Sequence, residues 1–150
     1  MKHHGEFKDI ESEKIEKALL KTNRQYFVGS LKLPQIIKHI DEEDLEIGIT
    51  NYKEETAEDP HWHPTQKEYQ YMLSGETTYI DAITMEAVTY KEGDFYAIYP
   101  EICYKQHSLP GTRILFIKTP SINDKVVCYK CSKEDCPSRL EEYKTGCTIE

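Results

Sequence analysis

At 150 residues, the chain is the size of one ordinary domain, long enough to bury a core. Its net charge of −8 and scattered lysines and arginines argue against a nucleic-acid partner, because an acidic surface repels phosphates. No apolar run approaches the roughly eighteen residues a membrane span needs, and Met1-Lys2-His3-His4-Gly5 opens no apolar leader, so the expected location is the cytoplasm. In that compartment five cysteines are expected as thiols or metal ligands in preference to disulfides. Eleven tyrosines against four phenylalanines suit strands that present hydroxyls to a polar cavity.

Residues 8–22 carry a helical pattern. Ile15, Ala18, Leu19 and Thr22 recur on one face, Glu13 and Lys17 stand one turn apart, and Asp9 or Ser12 offers a cap. The apolar stripe is narrow, so the helix either packs on the main fold or lies solvated. Residues 26–30 predict a strand, Leu33-Pro34 a break, and residues 35–40, with Ile36, Ile37 and Ile40, a helical turn or two. Asp41-Glu42-Glu43-Asp44 predicts a solvated loop.

From Leu45 the texture becomes that of strands. Ile47 and Ile49 alternate with Gly48 and Thr50; residues 54–60 are acidic and predict a loop; residues 69–73, 77–82, 87–90, 95–99 and 113–118 predict strands. Ser74-Gly75-Glu76, Lys91-Glu92-Gly93-Asp94 and Leu109-Pro110-Gly111-Thr112 punctuate them as turns, and Val126-Val127 adds a last short strand. Short strands with turns at this spacing predict an all-β sandwich or barrel. No helical pattern interrupts residues 45–120, which argues against a parallel α/β sheet. The organisation predicted is an N-terminal helix-and-strand extension (1–44) packing on the barrel, a barrel (45–127) and a cysteine-rich, partly helical tail (128–150).

Chemistry concentrates at His61-Trp62-His63. Residues two apart on a strand share a face, so the imidazoles project together with Trp62 opposite. Glu68 lies an odd number of positions on, so a bend at Pro64-Thr65 is needed for it to join them. His107 is the candidate fourth ligand. Three imidazoles and a carboxylate suit a divalent transition ion (Fe, Mn, Zn, Ni or Co) and leave positions open for substrate.

His61-x-His63-x4-Glu68-x6-Gly75 resembles the first conserved motif of the cupins. Gly93, Pro100 and His107 resemble the second in stretched form, with Gly111 where that motif carries asparagine. The resemblance covers residues 45–120. It implies a double-stranded β-helix, a jelly-roll barrel with a metal in its mouth held by His61, His63, Glu68 and His107. It also implies a small-molecule partner and pairing into a homodimer. Gln70, Tyr71, Tyr96 and Tyr99 are the candidate substrate-binding residues.

Cys128-x2-Cys131-x4-Cys136-x10-Cys147 is a second constellation, a candidate structural zinc site, with Ser138 and Glu141 as a capping box nearby. Cys103 is expected as a buried, small apolar residue. The function expected is an enzyme acting on a small organic molecule, sugar-derived or a keto acid, by isomerisation, epimerisation or dioxygenation at a single metal. The alternatives are a non-catalytic ligand-binding module and a metal-free isomerase using histidine and tyrosine as acid and base.

Overall fold

The computed structural model describes residues 7–82 and 84–127. Its helix α1 (Ser12–Lys21) starts later than the pattern suggests. Glu11 occupies the N-cap position without a side-chain cap bond, so neither Asp9 nor Ser12 plays that part. Glu13 and Lys17 pair at 3.1 Å. Ala18 and Leu19 are buried, so the helix packs on the fold and is not simply solvated. Arg113 clamps it by donating to both oxygens of Glu16 at 2.6 and 2.9 Å, and the Lys53 ammonium donates to the Leu20 carbonyl at 2.8 Å.

The strands among the described residues are β1 (Arg24–Val28), β2 (Glu46–Tyr52), β3 (Thr56–Trp62), β4 (Lys67–Ser74), β5 (Glu76–Asp81), β6 (Ala87–Lys91), β7 (Phe95–Ile98), β8 (Tyr104–Ser108), β9 (Thr112–Thr119) and β10 (Val126–Val127). They form two five-stranded sheets in the orders β1-β2-β9-β4-β7 and β10-β3-β8-β5-β6, and every ladder is antiparallel. The alternation that predicted strands decides which side chains enter the interior. In β2, Glu46, Gly48, Thr50 and Tyr52 face in; in β4, Glu68, Gln70 and Met72; in β9, Thr112, Ile114 and Phe116. β9 is thus buried more deeply on one face than the other.

One part of the interior is a packed core of Tyr52, Met72, Tyr79, Tyr96, Tyr104 and Ile114. Its tyrosines satisfy their hydroxyls internally. Tyr79 and Tyr96 both donate to the Gln70 side-chain oxygen, at 3.1 and 2.7 Å, and approach one another at 2.6 Å. Buried phenols without such partners would each cost on the order of 1–3 kcal/mol.

Two segments differ from the sequence reading. Residues 35–40 form no helix; the Gln35 side chain binds both the amide and the carbonyl of Tyr26, and Ile40 makes a parallel bridge to Val28. Those side-chain bonds replace the helical ladder. Residues 54–60 are not all loop, since β3 begins at Thr56. Its acidic side chains hid it: the exposed ones lie in solvent, and Glu58 lines a cavity.

Candidate metal and substrate site in the barrel cavity

β3 delivers the two imidazoles through an irregularity. Glu58 pairs with Gln106 of β8, and His61 with Tyr104, so one extra residue is inserted in β3 between these pairs. Such a bulge switches the face of the following side chains. It allows Glu58 and His61, an odd number of positions apart, both to line the cavity, and it accommodates Pro60, which has no amide hydrogen for the ladder. His61 and His63 are both buried, with ring centres 5.5 Å apart.

Each imidazole is fixed by its Nδ1. His61 Nδ1 lies 3.0 Å from the Asp59 carbonyl oxygen, and His63 Nδ1 lies 2.9 Å from Asp124 Oδ1. Both oxygens are acceptors, so each Nδ1 carries a hydrogen, and in the neutral imidazole each Nε2 keeps its lone pair. Burial disfavours the charged form of His61 and lowers its pKa; the Asp59 carbonyl opposes this and the Lys125 charge reinforces it. Asp124 in turn accepts the amides of Thr65 and Gln66 at 2.8 and 3.0 Å. Burial would raise its pKa, but the amide donors and His63 outweigh this and hold it below the ordinary aspartate value.

Glu68 enters from β4 across the interior and is 3% exposed. Its Oε2 accepts the Tyr104 hydroxyl at 2.8 Å, and its Oε1 lies 3.4 Å from the Lys118 ammonium. Burial alone would raise its pKa; the Lys118 charge and the Tyr104 hydroxyl bring it below the usual value, so the carboxylate is charged. Tyr104 is pushed the other way, by burial and then by the Glu68 charge, and remains a phenol.

A cavity of about 970 Å³ opens over these groups, and its wall includes His61, His63, Glu68, Gln70 and Tyr104. No family model matches the chain, and no curated protein matches it. Solved structures do. An RmlC-like cupin protein from Desulfovibrio desulfuricans superposes with a TM-score of 0.50 at 12% identity, over 81% of this chain and 99% of that one. KdgF from a Halomonas species gives 0.51 at 16% identity, over 67% and 80%. The DMSP lyase DddQ from Ruegeria pomeroyi gives 0.52 at 13% identity, over 73% and 52%. The chain has the cupin fold.

In this cupin fold His107 does not join the other candidate ligands. On β8 the side chains of Tyr104, Gln106 and Ser108 face inward, so His107 faces outward. It is 42% exposed and contacts Glu55, with Nε2 to Oε1 at 2.8 Å. The residue that faces His61 from β8 is Tyr104, ring centres 4.5 Å apart. Among the described residues, no group of three or more His, Cys, Asp or Glu side chains is arranged to hold a metal ion. The donor chemistry nevertheless suits a divalent transition ion: two free imidazole lone pairs and one charged carboxylate. These three groups are not drawn together as a ligand set, and Glu68 is held by Tyr104 and Lys118.

Of the expected substrate-binding residues, Gln70 lines the cavity. Tyr96 is buried in the core behind it, bonded to Gln70. Tyr71 and Tyr99 are exposed on the outside, because strand parity turns Tyr71 outward from β4 and Tyr99 follows the end of β7. Cys103 is fully buried but disulfide-bonded, not the apolar thiol expected. Cys128, Cys131, Cys136 and Cys147 lie outside the described residues, as does the capping box. Sequence reading missed Asp124, Lys118, Tyr104 and Arg24, which arrive from distant strands and loops. The parity of β8, with Tyr104 in step with Gln106 and Ser108, was the available signal for Tyr104.

Proposed function

We propose that this chain is a cupin enzyme acting on a small organic molecule in the barrel cavity, with His61, His63 and Glu68 as the donors for a single divalent transition ion. The observation that carries this reading is the anchoring of both Nδ1 atoms, which leaves two Nε2 lone pairs on one cavity beside a charged carboxylate. Such second partners are what fix metal-binding histidines in tautomer and direction. When bound, the ion supplies Lewis acidity that polarises a substrate oxygen. The chain's own groups do the rest. Lys118 balances the Glu68 charge, Tyr104 holds that carboxylate's orientation, and Gln70 reaches the cavity with its oxygen already engaged, leaving its amide hydrogens for a ligand.

A sugar-derived molecule or a keto acid is the substrate class, with isomerisation, epimerisation or dioxygenation as the reaction type. DddQ, a lyase, supports the view that this fold carries enzymes, although fold alone does not assign chemistry. The engagement of Glu68 by Tyr104 and Lys118 favours a second reading, a ligand-binding module without turnover. A homodimer paired through an edge strand belongs to the same proposal. A zinc on all four tail cysteines does not, because those four are the chain's only other cysteines and the Cys103 disulfide takes one of them. A cytoplasmic location sits against the Cys103 disulfide, because cytosolic thiols are kept reduced. Among the described residues no helix is long and apolar enough to cross a membrane.

The test is metal analysis of protein purified without added ions, followed by oxygen-uptake and sugar isomerisation screens before and after chelation. Bound metal and a chelator-sensitive turnover support the enzyme. Tight binding of a small ligand without turnover in any screen supports the module.

A further inference from the structure

We propose that the cavity takes its ligand by a carboxylate, seated on the Arg24 guanidinium beside the Lys118 ammonium, so that the ligand is a small organic anion. This rests on the reading that the cavity is the ligand site, and it names the class of molecule.

The two cations come from different strands, Arg24 from β1 and Lys118 from β9, and both line the cavity. One ring gathers them. The Arg24 guanidinium carbon lies 5.6 Å from the Phe116 ring centre and the Lys118 nitrogen 5.0 Å from it. The ring can lie there because residue 48 is glycine: a Cβ at that position would stand 2.5 Å from Phe116 Cζ. Of the two, Lys118 is matched by Glu68 at 3.4 Å, whereas Arg24 has only Glu58 at 3.8 Å, beyond hydrogen-bond reach, so Arg24 is the cation open to a further anion.

Arg24 is fixed without being gripped by a carboxylate, with the Tyr26 and Tyr52 hydroxyls also against its guanidinium. Its Nε donates to the Thr50 hydroxyl at 2.9 Å, which fixes the plane of the guanidinium. Its nearest carboxylate is Glu58, at 3.8 Å from Nη2, too far for a hydrogen bond. Arg113 shows the contrast: its two terminal nitrogens grip both oxygens of Glu16 at 2.6 and 2.9 Å. Arg24 thus lacks the forked carboxylate contact that Arg113 has. Its side chain is 38% exposed, although it points into the cavity. A planar fork of this kind matches a carboxylate in two-point contact, which a lysine at the same place would not. Lys118 then links the seat to the chemical groups, since its ammonium is 3.4 Å from Glu68 Oε1. A ligand held on Arg24 would extend over Lys118 towards Glu68 and the imidazoles.

The experiment is titration calorimetry of the full chain with malonate and succinate, with malonamide as the uncharged counterpart of malonate. Wild type is expected to bind at least one of the two carboxylates saturably and to ignore malonamide. R24Q is expected to weaken that binding at least tenfold, with R24K, which keeps the charge and loses the fork, in between. Thermal melting of both variants checks that they are folded, and R24K serves if R24Q is not. Equal binding by wild type and R24Q, malonamide binding as well as malonate, or no carboxylate binding overturns the proposal; so does an Arg24-dependent site for inorganic phosphate that excludes both carboxylates. Carboxylate binding through Arg24 in a chain that retains no metal would defeat the metal reading and leave this one standing. Metal retained on His61 and His63 without carboxylate binding would do the reverse.

Discussion

His63 Nδ1 and Asp124 Oδ1 stand 2.9 Å apart although 61 residues separate them in the chain. The same carboxylate accepts the amides of Thr65 and Gln66, so it fixes both the imidazole and the bend that carries the chain from β3 into β4. Asp124→Asn replaces an acceptor of charged character by an amide, and is expected to lower stability at neutral pH by about 1–2 kcal/mol. Asp124 titrates below its ordinary value in the fold. The stability it adds is therefore fully present above the unfolded-state value near 4 and is lost as pH falls through the lower folded-state value. Urea melts of wild type and D124N should differ at pH 7 and converge in strong acid. A gap that persists unchanged into acid would mean that the charge is not what matters.

The shelf under Arg24 and Lys118 depends on Gly48. A Cβ there would come within 2.4 Å of the Gln25 carbonyl oxygen as well as 2.5 Å of Phe116. Neither atom can yield without moving a strand or the ring. Gly48→Ala is expected to cost about 1–3 kcal/mol through overpacking and to lower the melting temperature. Gly93 is the comparison, with φ of +89° and open space around its Cβ position. Gly93→Ala should cost only the strain of a left-handed conformation, of the order of 1 kcal/mol. Thermal melting of the pair checks both values.

Tyr104 of β8 and Glu68 of β4 form a contact between the two sheets. Tyr104→Phe removes a donor from a buried carboxylate, which then relies on Lys118. A loss of about 1–3 kcal/mol is expected, with an upward shift in the titration of Glu68. Carbon NMR of the Glu68 carboxyl reads the shift directly, and an unmoved titration would show that Lys118 holds it charged without the phenol.

Much of the barrel was legible because half-buried strands advertise themselves by alternation. β2, β4, β5 and β9 lie where apolar and polar residues alternate or where β-branched residues run between turns. Gly75 was legible for a similar reason: it closes the motif at φ +79°, and a Cβ would collide with Thr112. β3 was hidden because Thr56, Glu58 and Pro60 stand at its less exposed positions, so the apolar half of the alternation is missing before His61. The placement of His107 was read from motif order, yet motif order does not fix strand parity; Tyr104, Gln106 and Ser108 take the inner face of β8 and exclude it. Asp124, Lys118 and Arg24 carry no local pattern at all. They matter only because the two sheets bring β1, β3, β4 and β9 around one cavity.

His107 makes a surface contact with Glu55, and exposed pairs of this kind contribute little. His107→Ala is expected to change stability by less than about 0.5 kcal/mol and to leave any metal content as it was. Chemical denaturation checks the first expectation.

The central claim is that His61 and His63, without His107, present the donors of this cavity. Metal stoichiometry by plasma mass spectrometry, on wild type, the His61→Ala/His63→Ala double variant and His107→Ala purified side by side, tests it most directly. The account predicts metal in wild type and in His107→Ala, and its loss from the double variant. Metal retained by the double variant, or lost on changing His107 alone, would contradict it.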